Sequence, residues 1–479
     1  MATFRKNYLH YAIALVIGLL LGFCLQPTNG LTEIGVRVIA ILVPTLYLWL
    51  TTNTHWTSIL AIGMLVMTQA MTANEVWAGS MGHFVVITII TYFLLNIALK
   101  ETGVINKIAM FFVTRKFVQG KPMAFFAMFF AANMILGLFM DNMSLAIIFI
   151  GIAESICEKM NIQKGEAFYT ALFLGSLWCN VTYSITSPIA HALPNILMGL
   201  AESQLGITIS YVQWLSAGVP ATVVMFIIIL IVLLIWRPNA DKFKAFNIDT
   251  LRKEDKPLDA RGKFAAVVFI ICILMVLLPS FFKDSSPFWN YWYTCGVVVP
   301  AILAIAVLAI VKIGGDKPIL DVPAGFKQIP WGAVIFAGVV SVFATPLSSD
   351  VTGIQTWLGN ILKPIFGDMS PVLIVILLCV FAIVMTNFLS NTVTMVLFFN
   401  IGIVLLSADQ FNLAAFTVII GFAAGLATVT PSAAVPSPLF FGPGYLTMKG
   451  TLKYNLIFIV ISIVALLGLG MTLIPNLFA

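Results

Sequence analysis

Charge is scarce in this chain. Only 9% of its 479 residues are Asp, Glu, Lys or Arg, 61% are hydrophobic, and the mean hydropathy is +1.05. No soluble fold of this length hides so much apolar surface, so the composition indicates a polytopic all-α membrane protein. Cysteine pairing is also missing. The six cysteines at 24, 157, 179, 272, 295 and 379 lie in apolar segments without CxxC spacing, which argues against a disulfide framework or a thiolate metal centre. No HExxH or serine–histidine set is present, so an enzyme is not expected, and neither is a metal or cofactor. The net charge of +6 reflects where the basic residues sit in a membrane topology and does not point to nucleic acid.

Apolar runs predict about eleven transmembrane helices, at 8–25, 31–50, 57–71, 83–99, 166–200, 211–236, 264–282, 290–311, 331–347, 412–446 and 454–478. Two further stretches, 123–158 and 371–406, have hairpin length and enter and leave on one side. The first run follows Arg5 and Lys6 like a signal peptide, but it is long, lacks a small-x-small cleavage site and is followed by further spans. With the N-terminus cytoplasmic and the C-terminus extracytoplasmic, every basic residue except Arg37, Lys283 and Lys363 falls on the cytoplasmic side, as the positive-inside bias requires. The cluster Phe288-Trp289-Asn290-Tyr291-Trp292-Tyr293 reads as an interfacial aromatic belt. The expected location is the inner (plasma) membrane.

What polarity there is within the apolar runs is concentrated. Phe139-Met140-Asp141-Asn142-Met143-Ser144 divides the first hairpin stretch, and Asn387-Phe388-Leu389-Ser390-Asn391-Thr392 divides the second. Unpaired polar groups at membrane depth cost several kcal/mol each and persist only where they line a protein cavity. Each break follows a Thr-Gly pair, Thr102-Gly103 or Thr352-Gly353, at nearly the same interval. Each Thr-Gly opens an amphipathic segment, Val104–Val118 or Ile354–Phe366, suited to the interface plane. Each hairpin precedes a helix interrupted by hydroxyls and prolines: Thr186-Ser187-Pro188 in 166–200, and Thr430-Pro431-Ser432 in 412–446. The chain therefore divides into residues 1–236 and 264–479, two inverted repeats, joined by a hydrophilic linker at 237–263 that reads as a solvated connection.

Four interrupted helices present the unsatisfied N–H groups and positive dipole ends that favour an anion. Asn142, Ser144, Ser390, Asn391 and Thr392 add donors at the tips, and Thr186, Ser187, Thr430 and Ser432 add more at the breaks shaped by Pro188 and Pro431. No lysine or arginine lies within these elements. Donors without full charges can hold a dianion and still release it. Asp141 and His191 are the ionisable groups placed to compensate charge.

The Ser390-Asn391-Thr392 tip, its mirror at Asn142, and the Ser187-Pro188 and Thr430-Pro431 breaks resemble the divalent anion:sodium symporter family. The resemblance implies a homodimer in membrane lipid whose transport domain moves as an elevator. It further implies that Asn142, Asn391 and Thr392 hold dicarboxylates such as succinate, malate, fumarate or 2-oxoglutarate. In sodium-coupled members the tip serines and nearby carbonyls form sodium sites. Here Asp141 stands where the family pattern has serine, and Met143 where it has threonine. Pro436-Ser437-Pro438-Leu439-Phe440-Phe441-Gly442 resembles the exchanger branch. The expectation is therefore sodium-independent dicarboxylate antiport. The alternative is sodium-coupled symport of di- or tricarboxylates, since a carboxylate at position 141 binds hard cations well.

Overall fold

The computed structural model describes residues 2–52, 55–189, 191–252, 257–366, 369–431 and 433–478. Ser432, one of the hydroxyls expected at the second break, lies outside them. The described residues form helices throughout, with a single isolated bridge between Lys312 and Pro318. Among the described residues five helices are long and apolar enough to cross a membrane: Ala73–Glu101, Tyr211–Trp236, Ala260–Phe282, Trp331–Ser348 and Met448–Leu477. Counting two bent helix pairs as spans raises the number to 7.

One of those pairs replaces the single span expected at 290–311. Pro287–Cys295 and Val298–Ile310 meet at 85° about Gly296, whose φ of +75° suits a residue without Cβ. None of the aromatic-rich Pro287–Cys295 segment is buried. This is the exposure that an interfacial belt requires.

The two halves build the same sequence of elements. Gly103 (φ +73°) and Gly353 (φ +64°) turn the chain in the left-handed region, and the helices Val104–Val113 and Ile354–Phe366 follow. The first amphipathic helix is shorter than its pattern suggests, giving way after Val113 to a 3-10 turn at Lys116–Val118. Next come approach arms of 16 residues each, Pro122–Gly137 and Pro371–Thr386, both with proline in the first turn, where its missing N–H costs nothing. The return arms start at the tip asparagines, Asn142–Lys159 and Asn391–Leu405, with Asp141 and Ser390 in the N-cap position.

The interrupted helices differ more. The first runs Ala167–Thr186, breaks, and resumes at Ala192–Leu205. The second is helical over Leu413–Gly425, then irregular until the short Ser437–Phe441 turn. Close packing joins them. A Cβ on Gly421 would lie 2.6 Å from Leu197 and 3.2 Å from Ile185, so the glycine gives the first helix a notch to enter.

Each Thr-Gly corner is held by a helix from the opposite half. Thr32 caps the helix Glu33–Thr51 and also donates its hydroxyl to the Val351 carbonyl at 2.7 Å. Gly35, three residues on, approaches so closely that a Cβ would overlap the Thr352 carbonyl oxygen. Asp259 caps Ala260–Phe282 in the same way, and a Cβ on Gly262 would sit 2.8 Å from the Thr102 carbonyl oxygen. The sequence pairs the two Thr-Gly corners but gives no hint of these partners.

A third close approach fixes the first break. Gly218, on Tyr211–Trp236, faces the Thr186 carbonyl oxygen, which an added Cβ would meet at 2.4 Å. Backbone cannot yield as a side-chain tip can. Gly218→Ala is therefore expected to push this helix off the break at a cost of about 1–3 kcal/mol. It should lower the thermal unfolding midpoint of purified protein, and an unchanged midpoint would contradict the close fit.

The linker is not a solvated connector throughout. Residues Asp241–Ala245 form a helical turn, and Phe243 is only 2% exposed.

Candidate functional site

The second tip is assembled around Asn387, at the end of its approach arm. The Asn387 amide oxygen accepts the N–H groups of Thr428 and Val429 at 2.8 and 2.9 Å. Its amide nitrogen donates to the carbonyls of Ile383 and Leu426 at 2.7 and 2.9 Å, and its own carbonyl accepts the Thr430 hydroxyl at 2.7 Å. One side chain thus satisfies the backbone groups that the break leaves orphaned. Four residues on, the Asn391 N–H donates to Ala433 at 3.3 Å, so tip and break touch. The Asn391 amide oxygen accepts the Thr392 N–H at 2.9 Å and points the tip amide by an intramotif bond. Asn391 is buried, Ser390 and Thr392 are half-buried, and Pro431 is exposed.

The first tip is held differently. Asn180 donates to the Asn142 carbonyl at 2.8 Å and to the Tyr183 hydroxyl at 2.6 Å. Tyr183 lies over Gly137, where a Cβ would meet its ring at 2.2 Å. The ring of His191 packs 5.4 Å from that of Tyr183, and Nε2 of His191 donates to the Gly137 carbonyl at 2.8 Å. A carbonyl only accepts, so Nε2 carries the proton. His191 thus pins the end of the approach arm against the broken helix. Its other face, with Asn195, meets Thr88 and Tyr92 across a space of about 10 Å³, room for roughly one water.

Asp141 is 3% exposed and caps the return arm, accepting the Ser144 N–H at 2.9 Å. Among the described residues no basic side chain lies within salt-bridge distance of it, and the Lys100 charge acts on it from farther away. Asn142, Met143 and Ser144 are half-buried.

The hydroxyls of the first break turn inward. Thr186 bonds the Thr182 carbonyl and the Thr222 hydroxyl, Ser187 accepts the Ile189 N–H at 3.3 Å, and Pro188 is buried beside them. Trp214 donates to Ile185 at 2.9 Å, and Asn195 donates to Pro188 at 2.6 Å. These bonds leave the tips and backbone, more than the break hydroxyls, to meet a ligand. Several buried oxygens near the two tip–break junctions have no protein partner: Asn180 Oδ1 by the first, Thr394 Oγ1 and Thr428 Oγ1 by the second. Orphaned buried oxygens call for a ligand, ion or water.

Asn455, on the final long helix, ties the halves together. It accepts the Trp178 indole N–H at 2.8 Å and donates to the Thr428 carbonyl at 3.2 Å.

The family description "Sodium:sulfate symporter transmembrane region" matches residues 5–479, nearly the whole chain. The chain belongs to this family, the divalent anion:sodium symporters. The sodium-dependent dicarboxylate transporter SdcS of Staphylococcus saprophyticus is 24% identical over 98% of this chain and 93% of its own length. The protein of the same name from Staphylococcus aureus is 25% identical over 82% of this chain and 76% of its own length. As a divalent anion:sodium symporter family member, the chain is a multi-pass membrane transporter and not an enzyme. The family resemblance seen in the tips and breaks thus extends over the full length.

Sequence reasoning named the tip residues but assigned no role to Asn387 within the second break and passed over Asn180, Asn195 and Asn455. Their signal was present as asparagine in otherwise apolar runs, a costly residue there unless its amide is satisfied.

Proposed function

We propose that this protein is a sodium-coupled dicarboxylate symporter. Asn142, Asn391, Thr392 and the tip N–H groups bind the two carboxylates, and oxygens at each tip–break junction hold sodium. The observation that carries this reading is Asp141, a buried carboxylate at a tip that makes no salt bridge among the described residues, with Lys100 acting on it only from beyond ion-pair distance. A buried carboxylate left without any cation costs several kcal/mol, and a sodium ion travelling with the substrate neutralises it. Replacement of serine by Asp141 then strengthens a cation site where sequence reasoning alone favoured its loss and sodium-independent exchange. The similarity to two proteins named as sodium-dependent dicarboxylate transporters supports the same choice.

His191 is the weaker candidate for charge compensation, since its bond to Gly137 gives it a holding role. Ser144 and Ser390, both half-buried, remain candidates at the tips, with Thr430 and Ser432 as candidates from the second break, and the prolines Pro188 and Pro431 shape the breaks. The re-entrant placement of both hairpins, the inverted repeats, eleven crossings with the N-terminus inside, the homodimer and the elevator movement complete the proposal. A cavity of about 650 Å³ runs along the first return arm from Ile147 to Ile156, with Thr102, Asn106, Lys107 and Asp259 opposite. Its lining holds no residue of either tip or either break, so it stands apart from the proposed substrate site.

The test is labelled succinate uptake into proteoliposomes, with sodium or choline outside and with or without internal dicarboxylate. Uptake into empty vesicles that collapses in choline supports symport. Uptake that needs internal dicarboxylate and ignores sodium would establish exchange instead. Asp141→Asn refines the result, because asparagine keeps the helix cap while removing the charge. It is expected to raise the sodium concentration for half-maximal uptake by about tenfold, the order of one charge-assisted bond. An unchanged sodium dependence would remove Asp141 from the cation site.

A further inference from the structure

The linker between the halves makes more specific contacts than a connection requires. The Phe243 ring lies 4.6 Å from that of Phe125 and 5.6 Å from that of Phe168, two residues fully buried at the starts of the first approach arm and the first broken helix. Lys242 Nζ donates to the Asn161 carbonyl at 2.7 Å and to both Glu166 carboxylate oxygens at 2.8 and 3.0 Å. Gln119 treats the linker as a strand neighbour would, donating to the Phe246 carbonyl at 2.6 Å and accepting the Ile248 N–H at 2.8 Å. Gln119 sits at the corner between the amphipathic segment and the approach arm, beside Gly120 with φ +68°.

These contacts share one property. They bind the linker to the base of the first hairpin and the first broken helix, at the end farthest from the tip. The 18-residue return arm separates them from Asn142 by about 27 Å at 1.5 Å per residue. An exposed ion pair such as Lys242–Glu166 contributes little alone, but the buried ring and the two-point amide clamp hold the same segment at two further points.

We propose that residues 239–248 form a strap that stays docked on this base throughout transport, so that the linker and the first hairpin move as one body. Gln119 and Phe243 are positioning residues: they brace the corner at which that body meets the amphipathic segment and set the rate of translocation, not the affinity of the distant tips. This rests on the transporter reading above and adds to it a role for the linker.

The experiment starts from a Cys24→Ser, Cys295→Ser background, which removes the two cysteines that are not buried. Lys242→Cys and Glu166→Cys are added and joined with a short, reducible bifunctional thiosulfonate in proteoliposomes. A strap that stays docked leaves at least half of the uptake rate after cross-linking. Loss of uptake that reduction restores would show that the strap must undock, and would overturn the proposal. Phe243→Ala is expected to lower the maximal rate about fivefold with KM within twofold, and Phe243→Leu to recover most of it. A raised KM with unchanged maximal rate, or no change in either, would also overturn it. Trypsin cleavage after Lys242 and Lys244 gives a readout without transport. The intact protein should be cut much more slowly than Phe243→Ala, equally with and without succinate; equal rates for the two proteins would refute docking. Absence of uptake by the unmodified protein would count against the transporter reading and leave the proteolysis result standing.

Discussion

Asn391→Ala is expected to abolish dicarboxylate uptake while leaving the protein folded. The Asn391 amide oxygen is occupied by the Thr392 N–H, and its backbone N–H by the Ala433 carbonyl. Its amide N–H₂ has no protein partner among the described residues and is the group the tip has to offer. A hydrogen bond to a charged carboxylate is worth about 1.5–3 kcal/mol, so its loss alone weakens binding on the order of 10- to 100-fold. Alanine also frees the tip N–H groups from the orientation that Asn391 gives them. Asn391→Asp separates the two effects. It retains the acceptor for Thr392 and replaces the donor by a negative charge facing a dianion, and it should be as inactive as alanine. Labelled uptake together with succinate binding by calorimetry checks both variants. Uptake at the unmodified rate by either would remove the second tip from the site.

Asn387→Leu should have the larger effect on stability. Leucine is close in volume, yet it leaves the N–H groups of Thr428 and Val429 and the carbonyls of Ile383 and Leu426 without the partner they now share. Each buried group so stranded costs about 1–3 kcal/mol, and those of Leu426, Thr428 and Val429 lie within the irregular segment after Gly425. The expected outcome is poor yield of folded protein, or a thermal midpoint in detergent several degrees below that of the unmodified chain. Asn387→Asp keeps the two accepted N–H bonds and should fall between. A stable, active Asn387→Leu protein would mean that the second break does not depend on this clamp. The contrast with Asn391→Ala is informative. In the proposed reading one asparagine serves the ligand, while the other holds the backbone, four residues apart.

That contrast also explains what could be read from the chain. The polar tips, the Thr-Gly corners and the linker were visible because each interrupts an apolar run, and in a membrane protein such interruptions are few. The matching order of elements in the two halves followed from landmark spacing. Asn387, by contrast, sat inside an interruption already noticed, and nothing in its type distinguishes a backbone clamp from a ligand donor. That difference depends on whether a broken helix lies beside it. The bend at Gly296 was hidden because an apolar run of span length looks the same straight or folded at 85°. The docked linker was hidden for the opposite reason. Its many charges suggested solvent, while its contacts depend on one phenylalanine and on a glutamine more than a hundred residues earlier. His191 stood out as ionisable, but its bond to Gly137 could come only from three-dimensional proximity.

The exchanged corners bear on how the chain is made. Thr102 is synthesised well before Asp259 and Gly262, the residues that cover it. Thr32 and Gly35 must wait for Val351 and Thr352, most of the chain later. Neither half can therefore reach its final packing while the other is still on the ribosome. The early helices must be kept from wrong neighbours during membrane insertion, and their final packing takes place only after the second Thr-Gly corner has been translated.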